Sequence, residues 1–169
     1  IAPDVLAQRL RDLEAGGLAE RAAFTGPGRA KVYRLTERGR ELQPVLVALG
    51  RFGSRLPLPD PPQELTPDAM AVALLTVFRP EWATGISLEV ELVLGPESFT
   101  ATLHDGRLGI ARRPGVDHRA SIETSPGVLT GVLWHGVDVE AAESEGDLQL
   151  RGDRDAALAF LAVFRTQLA

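Results

Sequence analysis

Leu56-Pro57-Leu58-Pro59-Asp60-Pro61-Pro62-Gln63 places four prolines within eight residues. Proline lacks a backbone N–H and fixes φ, so this run enters neither a helix interior nor a sheet ladder. It favours extended polyproline geometry, which makes a semi-rigid spacer. The 169-residue chain is thereby divided into a first domain at 1–55, a linker at 56–64 and a second domain at 65–169. Charge divides the same way. Residues 1–55 hold ten Lys/Arg against six Asp/Glu, a net of +4, and residues 56–169 hold eight against seventeen, a net of −9. Such asymmetry points to a nucleic-acid-binding part, with ordinary variation between two surfaces as the alternative.

The first domain reads as a helix, a sharp stop and a hairpin. Leu6, Leu10 and Leu13 recur at helical spacing and are expected to face a core. Pro3 suits the first helical position and Asp4 complements the dipole of the first turn. Gly16-Gly17 end the helix, and the segments 20–25 and 31–35 run as strands around a Gly26-Pro27-Gly28 turn. Thr36 is a good N-cap for a helix expected over 37–55, with Pro44 as an interior breaker.

Ile1, Leu6, Arg9, Leu10, Leu13, Gly17, Leu18 and Arg21, followed by Tyr33-x-Leu35-Thr36-x-x-Gly39, resemble the HxlR family of bacterial transcriptional regulators. The spacing is kept over roughly the first third of the chain. Where the family has proline-rich residues before the tyrosine, this chain has Gly28-Arg29-Ala30-Lys31. The resemblance implies a winged helix-turn-helix, α+β and mostly helical, with residues 3–15 as its recognition helix. It also implies two helices and a short strand upstream of Ile1, which is not a methionine.

On that reading Pro3, Asp4, Gln8, Arg9 and Arg11 present the DNA-facing side of the helix. Gln8 suits adenine, Arg11 suits guanine or a phosphate, and Asp4 near DNA needs a cytosine amino group. Arg21, Arg29 and Lys31 supply the wing, where basic residues suit phosphate or minor-groove contact. An ordinary solvated face is the alternative. The glycine-containing tip lacks the spacing and the Ser/Thr of a phosphate-binding loop, so nucleotide binding is discarded. Leu42, Val45, Leu46, Leu49 and Phe52 form an apolar stripe, either packed on its own domain or forming a seam. The resemblance implies the seam. A homodimer through 37–55 and the upstream helices fits palindromic, double-stranded operator DNA.

In the second domain Thr66 and Pro67 start a helix with Met70, Leu74, Val77 and Phe78 inward. Residues 86–94 alternate as a half-buried strand, and Asp105-Gly106 is a hairpin signal between two further strands. Strands at 120–124 and 148–150, helices opened by Ser125-Pro126 and at 138–145, and a last helix capped by Asp153 complete an α+β domain. Residues 99–110, 120–133 and 146–153 resemble the sterol-carrier-protein type 2 fold. The strands read as a five-stranded, mainly antiparallel sheet, and the resemblance implies that helices cover it and enclose an apolar tunnel for a lipid-like or other hydrophobic ligand. Phe78, Trp82, Leu103, Leu133, Trp134, Phe160 and Phe164 either line such a pocket or are simply core. Trp82 and Trp134 are the best placed to line an opening, because each has an N–H to satisfy.

Cysteine is absent, which excludes disulfides and thiolate metal sites. No apolar run is long enough to span a membrane, and no signal peptide is visible. His104, His118 and His135 share no metal-ligand spacing, no Gly-x-Ser-x-Gly elbow exists, and Glu89 and Glu91 are explained by a wet strand face. No enzyme activity, cofactor or metal is therefore expected. The expectation is a cytoplasmic, dimeric DNA-binding regulator whose second domain senses a hydrophobic small molecule or adds dimer contacts. The alternative is a lipid or hydrophobic-ligand carrier without sequence-specific DNA binding.

Overall fold

The computed structural model describes residues 2–23, 31–53, 64–112 and 118–165. The chain forms two compact units, Ile1–Gly53 and Ser54–Ala169. The Pro-rich linker up to Gln63 and the Gly26-Pro27-Gly28 turn lie outside the described residues.

In the N-terminal unit, helix α1 spans Pro3–Ala15. It closes on Gly17, whose φ of 69° is open to glycine at little cost, and the Leu18 amide returns to the Leu13 carbonyl at 2.9 Å. Strands β1 (Ala19–Ala23) and β2 (Lys31–Leu35) form an antiparallel ribbon in which Arg21 pairs with Tyr33 and Glu20 with Arg34. Thr36 then ties three segments together. Its amide donates to the Leu18 carbonyl at 3.1 Å. Its hydroxyl donates to the Gly17 carbonyl at 2.6 Å and accepts from the Gly39 amide at 3.0 Å, capping helix α2 (Glu37–Arg40). Gly39 is buried because α2 lies directly on the α1–β1 turn; a Cβ there would sit 2.0 Å from the Leu18 carbonyl oxygen. The Thr36-x-x-Gly39 spacing is thus the chemistry of a close backbone approach.

Two expectations for this unit are corrected. The single helix over 37–55 is two helices, α2 and α3 (Gln43–Gly53), separated by a turn at Glu41-Leu42. Pro44 explains the break. Its ring would clash with the carbonyl four residues back, at Arg40, where α2 ends, whereas the first turn of α3 tolerates it. Leu6, Leu10 and Leu13 do not face a core: no residue of α1 is buried, and Leu6 and Leu13 are 50% and 39% exposed. Among the described residues of this unit only Ala19 and Gly39 are buried. An apolar stripe at helical spacing identifies a face without identifying what covers it.

In the C-terminal unit, α4 (Pro67–Val77) is capped by Thr66 and buries Met70, Ala71 and Leu74. A short 3-10 turn at Pro80–Ala83 follows. Strands β3 (Leu88–Leu94), β4 (Glu97–His104) and β5 (Arg107–Arg112) form the expected meander. Asp105 and Gly106 turn its second hairpin with φ of 48° and 69°, the backbone that two-residue hairpins require. Strand β6 (Ala120–Thr124) then crosses to the far side of β3 and lies parallel to it, and β7 (Leu148–Gly152) pairs antiparallel with β6 at the edge. The order is β5-β4-β3-β6-β7. The sheet is therefore mixed, correcting the expectation of a mainly antiparallel one. Alternating apolar residues mark β6 as a strand without fixing which neighbour it joins.

Helices α5 (Pro126–Trp134), α6 (Val139–Glu145) and α7 (Arg154–Arg165) complete the unit. Val90, Leu92 and Leu94 of β3, Phe99, Ala101 and Leu103 of β4, and Ala120 and Ile122 of β6 are buried. Met70, Leu129, Leu133, Phe160 and Phe164 of the helices belong to the same core. The opposite sheet face carries the polar side chains.

Candidate nucleic-acid interface and apolar cleft

Pro3, Asp4, Gln8, Arg9 and Arg11 all lie exposed on α1. Gln8 and Arg11 are joined: Arg11 Nη2 donates to Gln8 Oε1 at 2.7 Å, and Gln8 Nε2 donates to Asp12 Oδ1 at 2.7 Å. An amide and a guanidinium fixed side by side on an exposed helix can meet base edges or phosphates. Asp4 and Asp12 add negative charge to the same helix, which selects against close phosphate approach there.

Arg21 lies on the ribbon, with its Nε 3.2 Å from Glu14 Oε2 on α1. The same Nε donates to Tyr33 Oη at 3.3 Å, and the guanidinium carbon lies 5.8 Å from the Tyr33 ring centre. The Tyr33 hydroxyl first, and Glu14 next, push the Arg21 pKa further above its ordinary value. Arg34 Nε reaches Glu20 across the ribbon at 2.6 Å. Lys31 is the first residue of β2, and Arg29 lies outside the described residues. Helix α3 exposes Val45, Leu46, Leu49 and Phe52 at 55–65%, with Leu42 just before it at 40%.

The seven large apolar residues read as pocket candidates separate by burial. Leu103, Leu133, Phe160 and Phe164 are at most 1% exposed, and Phe78 is 7% exposed. Phe164 stacks obliquely on Phe78 and Phe160, with ring centres 6.3 Å and 5.2 Å away. Trp82 is partly buried and lines a cleft of about 340 Å³ with Ile86, Ala159, Ala162 and Val163. The Arg79 guanidinium lies 5.4 Å over the Trp82 ring. Trp134 is also partly buried, and its Nε1 is buried without a hydrogen-bond acceptor among the described residues. A second, more polar cleft of about 250 Å³ is lined by Gly95, Thr124, Ser125, Asp147 and their neighbours.

Sequence reasoning missed how the histidines are held. On the polar sheet face His118 Nδ1 lies 2.9 Å from Glu89 Oε1 and its Nε2 lies 3.2 Å from Thr100 Oγ1. His104 Nδ1 lies 3.0 Å from Ser87 Oγ, and its Nε2 lies 3.1 Å from Asp105 Oδ2. Glu91 accepts from Ser98 at 2.6 Å, so the strand carboxylates have specific partners as well as solvent. Both histidines have the hydroxyl–imidazole–carboxylate order of a nucleophilic relay. No residue of either relay is among those lining the two clefts. The signal was available only as pairing register, which places Glu89 beside Thr102 and near Thr100. Among the described residues no cluster of three or more His, Asp or Glu can hold a metal ion, and no helix is long and apolar enough to cross a membrane.

Solved structures similar to this chain include an inverting sec-alkylsulfatase, Pisa1, from Pseudomonas sp. It is 19% identical with a TM-score of 0.54, covering 60% of this chain and 17% of that one. This likeness concerns the fold of a segment. Structures of sterol carrier type are also similar: a UbiJ-SCP2 ubiquinone synthesis protein and sterol carrier protein 2. They are 14% and 21% identical, with TM-scores of 0.45 and 0.37. They cover 78% and 53% of this chain and 94% and 84% of their own. An uncharacterized HTH-type transcriptional regulator of Synechocystis sp. is 45% identical over 49 residues, which are 29% of this chain and 36% of that protein. This chain thus spans about a third of that relative's length. Residues 1–59 match the HxlR-like helix-turn-helix family.

Proposed function

We propose that this chain is part of a DNA-binding transcriptional regulator whose α1 enters the major groove and whose β1–β2 ribbon follows the adjacent backbone. The observation that carries the reading is the family match over residues 1–59, on a segment whose α1 exposes Gln8, Arg9 and Arg11. Pro3, Asp4, Arg21, Arg29 and Lys31 complete the proposed DNA-facing set. The protein acts in the cytoplasm as a homodimer, with the α3 stripe at Leu42, Val45, Leu46, Leu49 and Phe52 as its seam. An apolar stripe this exposed is the kind of surface that marks a protein–protein contact. The domain at 65–169 takes a hydrophobic small molecule at the cleft beside Trp82, with Trp134 as a second candidate contact and Phe78, Leu103, Leu133, Phe160 and Phe164 behind it. The ligand changes DNA affinity only if it binds the DNA-competent and DNA-incompetent states unequally.

The test is a titration of the full-length protein against a labelled duplex from upstream of its own gene, beside a scrambled duplex, at two salt concentrations. Tight binding that is selective and weakens with salt supports the regulator. Equal, weak binding to both duplexes sinks it. The carrier reading is then favoured, supported by the tryptophan-lined cleft.

A further inference from the structure

Arg21 lies where α1 and the ribbon meet. It pairs directly with Tyr33, so the two side chains share one ribbon face, and its contact with Glu14 turns that face toward the last turn of α1. Arg34 and Glu20 lie on the opposite face, since successive side chains alternate. The grip on Arg21 is selective. Glu14 Oε2 and Tyr33 Oη both approach Nε, and the guanidinium carbon lies 5.8 Å from the Tyr33 ring centre. Nη1 and Nη2 have no partner among the described residues, and the side chain is 52% exposed. A guanidinium held by its Nε presents its two terminal amino groups end-on, which is a geometry for two parallel hydrogen bonds to one anionic group.

We infer that Arg21 is a clamp for a duplex backbone phosphate, and that Tyr33 is its positioning residue with Glu14 as the second anchor. The inference rests on the DNA-binding reading above and specifies its chemistry. With a helix in the major groove and a ribbon reaching toward the minor groove, the strand that separates the grooves passes the junction between them. Among the described residues, Nη1 and Nη2 are the donor groups that the contacts at Nε leave to Arg21. Glu14 repels a phosphate on its own side, so the anion is admitted only end-on. Arg21 therefore fixes register on the duplex and reads no base.

The experiment measures affinity of the full-length protein for its upstream duplex and for a scrambled duplex across a salt series. It compares wild type, Arg21→Ala, Tyr33→Phe and the double variant. Tyr33→Phe removes one oxygen and keeps the ring, so the ribbon's packing is retained. Arg21→Ala is expected to weaken both duplexes about tenfold and to reduce the salt slope by about one. Tyr33→Phe is expected to weaken both about threefold, equivalent to less than one kcal/mol. The double variant is expected to be no weaker than Arg21→Ala, because Tyr33 acts only through Arg21. Wild-type affinity in Tyr33→Phe, or losses that add in the double variant, overturns the positioning role. Unchanged affinity and slope in Arg21→Ala, with wild type still selective, overturns the clamp and leaves the regulator standing. Absence of any salt-dependent duplex binding by wild type overturns the regulator and the clamp with it.

Discussion

Strands β3, β4 and β6 of the C-terminal unit each bury alternate side chains almost completely, whereas α1 and α3 of the N-terminal unit bury none. Both regions are rich in leucine and valine and both show clean periodicity. The difference is that the C-terminal unit closes its apolar face with its own helices, and the described N-terminal residues do not. The N-terminal elements are instead held by backbone chemistry: a glycine turn, a ribbon, and Thr36 bonding to both Gly17 and Gly39. Apolar area removed from water contributes about 25 cal/mol per Å², so a stripe left exposed contributes nothing until a partner covers it. One unit buries its apolar faces internally, and the other leaves them exposed among the described residues.

The two tryptophans, Trp82 and Trp134, both lie in the C-terminal unit, so tryptophan fluorescence, excited beyond the absorption of Tyr33, reports that unit alone. The largest effect is expected there. Phe160 is fully buried against Phe164, and Phe160→Ala should destabilise the fluorescence-detected transition by about 3–5 kcal/mol in a denaturant titration. A loss below 1 kcal/mol would mean that the aromatic cluster is loosely packed, erasing the contrast. Gly39→Ala is the N-terminal counterpart. Its Cβ meets the Leu18 carbonyl, and backbone cannot swing aside, so α2 should lift from the α1–β1 turn at a cost of about 1–3 kcal/mol. Hydrogen exchange should speed up at Thr36 and Gly39 and stay unchanged in β3 and β4. Exchange altered in both units would break the separation. Leu49→Ala should be smaller and of another kind: no shift in the tryptophan transition, but about tenfold weaker self-association of the proposed dimer by sedimentation. A tryptophan shift without a change in association would remove α3 from the seam.

What could be read from the chain follows from the range of each interaction. Caps and turns act over a few residues, so Thr66, Ser125 and Asp153 were legible as helix starts, and Asp105-Gly106 as a hairpin. Strand alternation made the inward sets of β3 and β4 legible too. The place of β6 was not, because pairing with β3 is fixed by a crossover rather than by any residue of β6. Pro44 was legible as a breaker, but the position of the break depended on the carbonyl at Arg40. The candidate site shows the same limit. The polar face of α1 could be read from spacing, though not that its leucine face is exposed too, whereas the Glu14–Arg21–Tyr33 cluster joins a helix to two strands. His118 with Glu89 joins residues 29 apart, and Arg112 with Asp68 joins residues 44 apart. The pocket candidates were chosen by size and apolarity, which do not separate a cleft wall such as Trp82 from a core residue such as Phe160.

The smallest effect tests whether the C-terminal unit also depends on charge at its boundaries. Asp153 accepts from the Ala156 amide at 3.0 Å and lies 2.7 Å from Arg119 Nε. The Ala156 bond first, and Arg119 next, hold its carboxyl below the usual carboxylate range. A lowered folded value means that the unfolded chain binds the proton more readily. Stability from Asp153 is therefore complete above its unfolded value, near pH 3.9, and is lost as pH falls through the lower folded value. Asp153→Asn keeps an oxygen for the Ala156 amide but cannot titrate. Melting of the tryptophan signal in wild type should thus fall more steeply between about pH 5 and pH 3 than in the variant. Parallel curves would assign the cap to hydrogen bonding alone, leaving this unit's stability to its core and sharpening the contrast with the N-terminal surfaces.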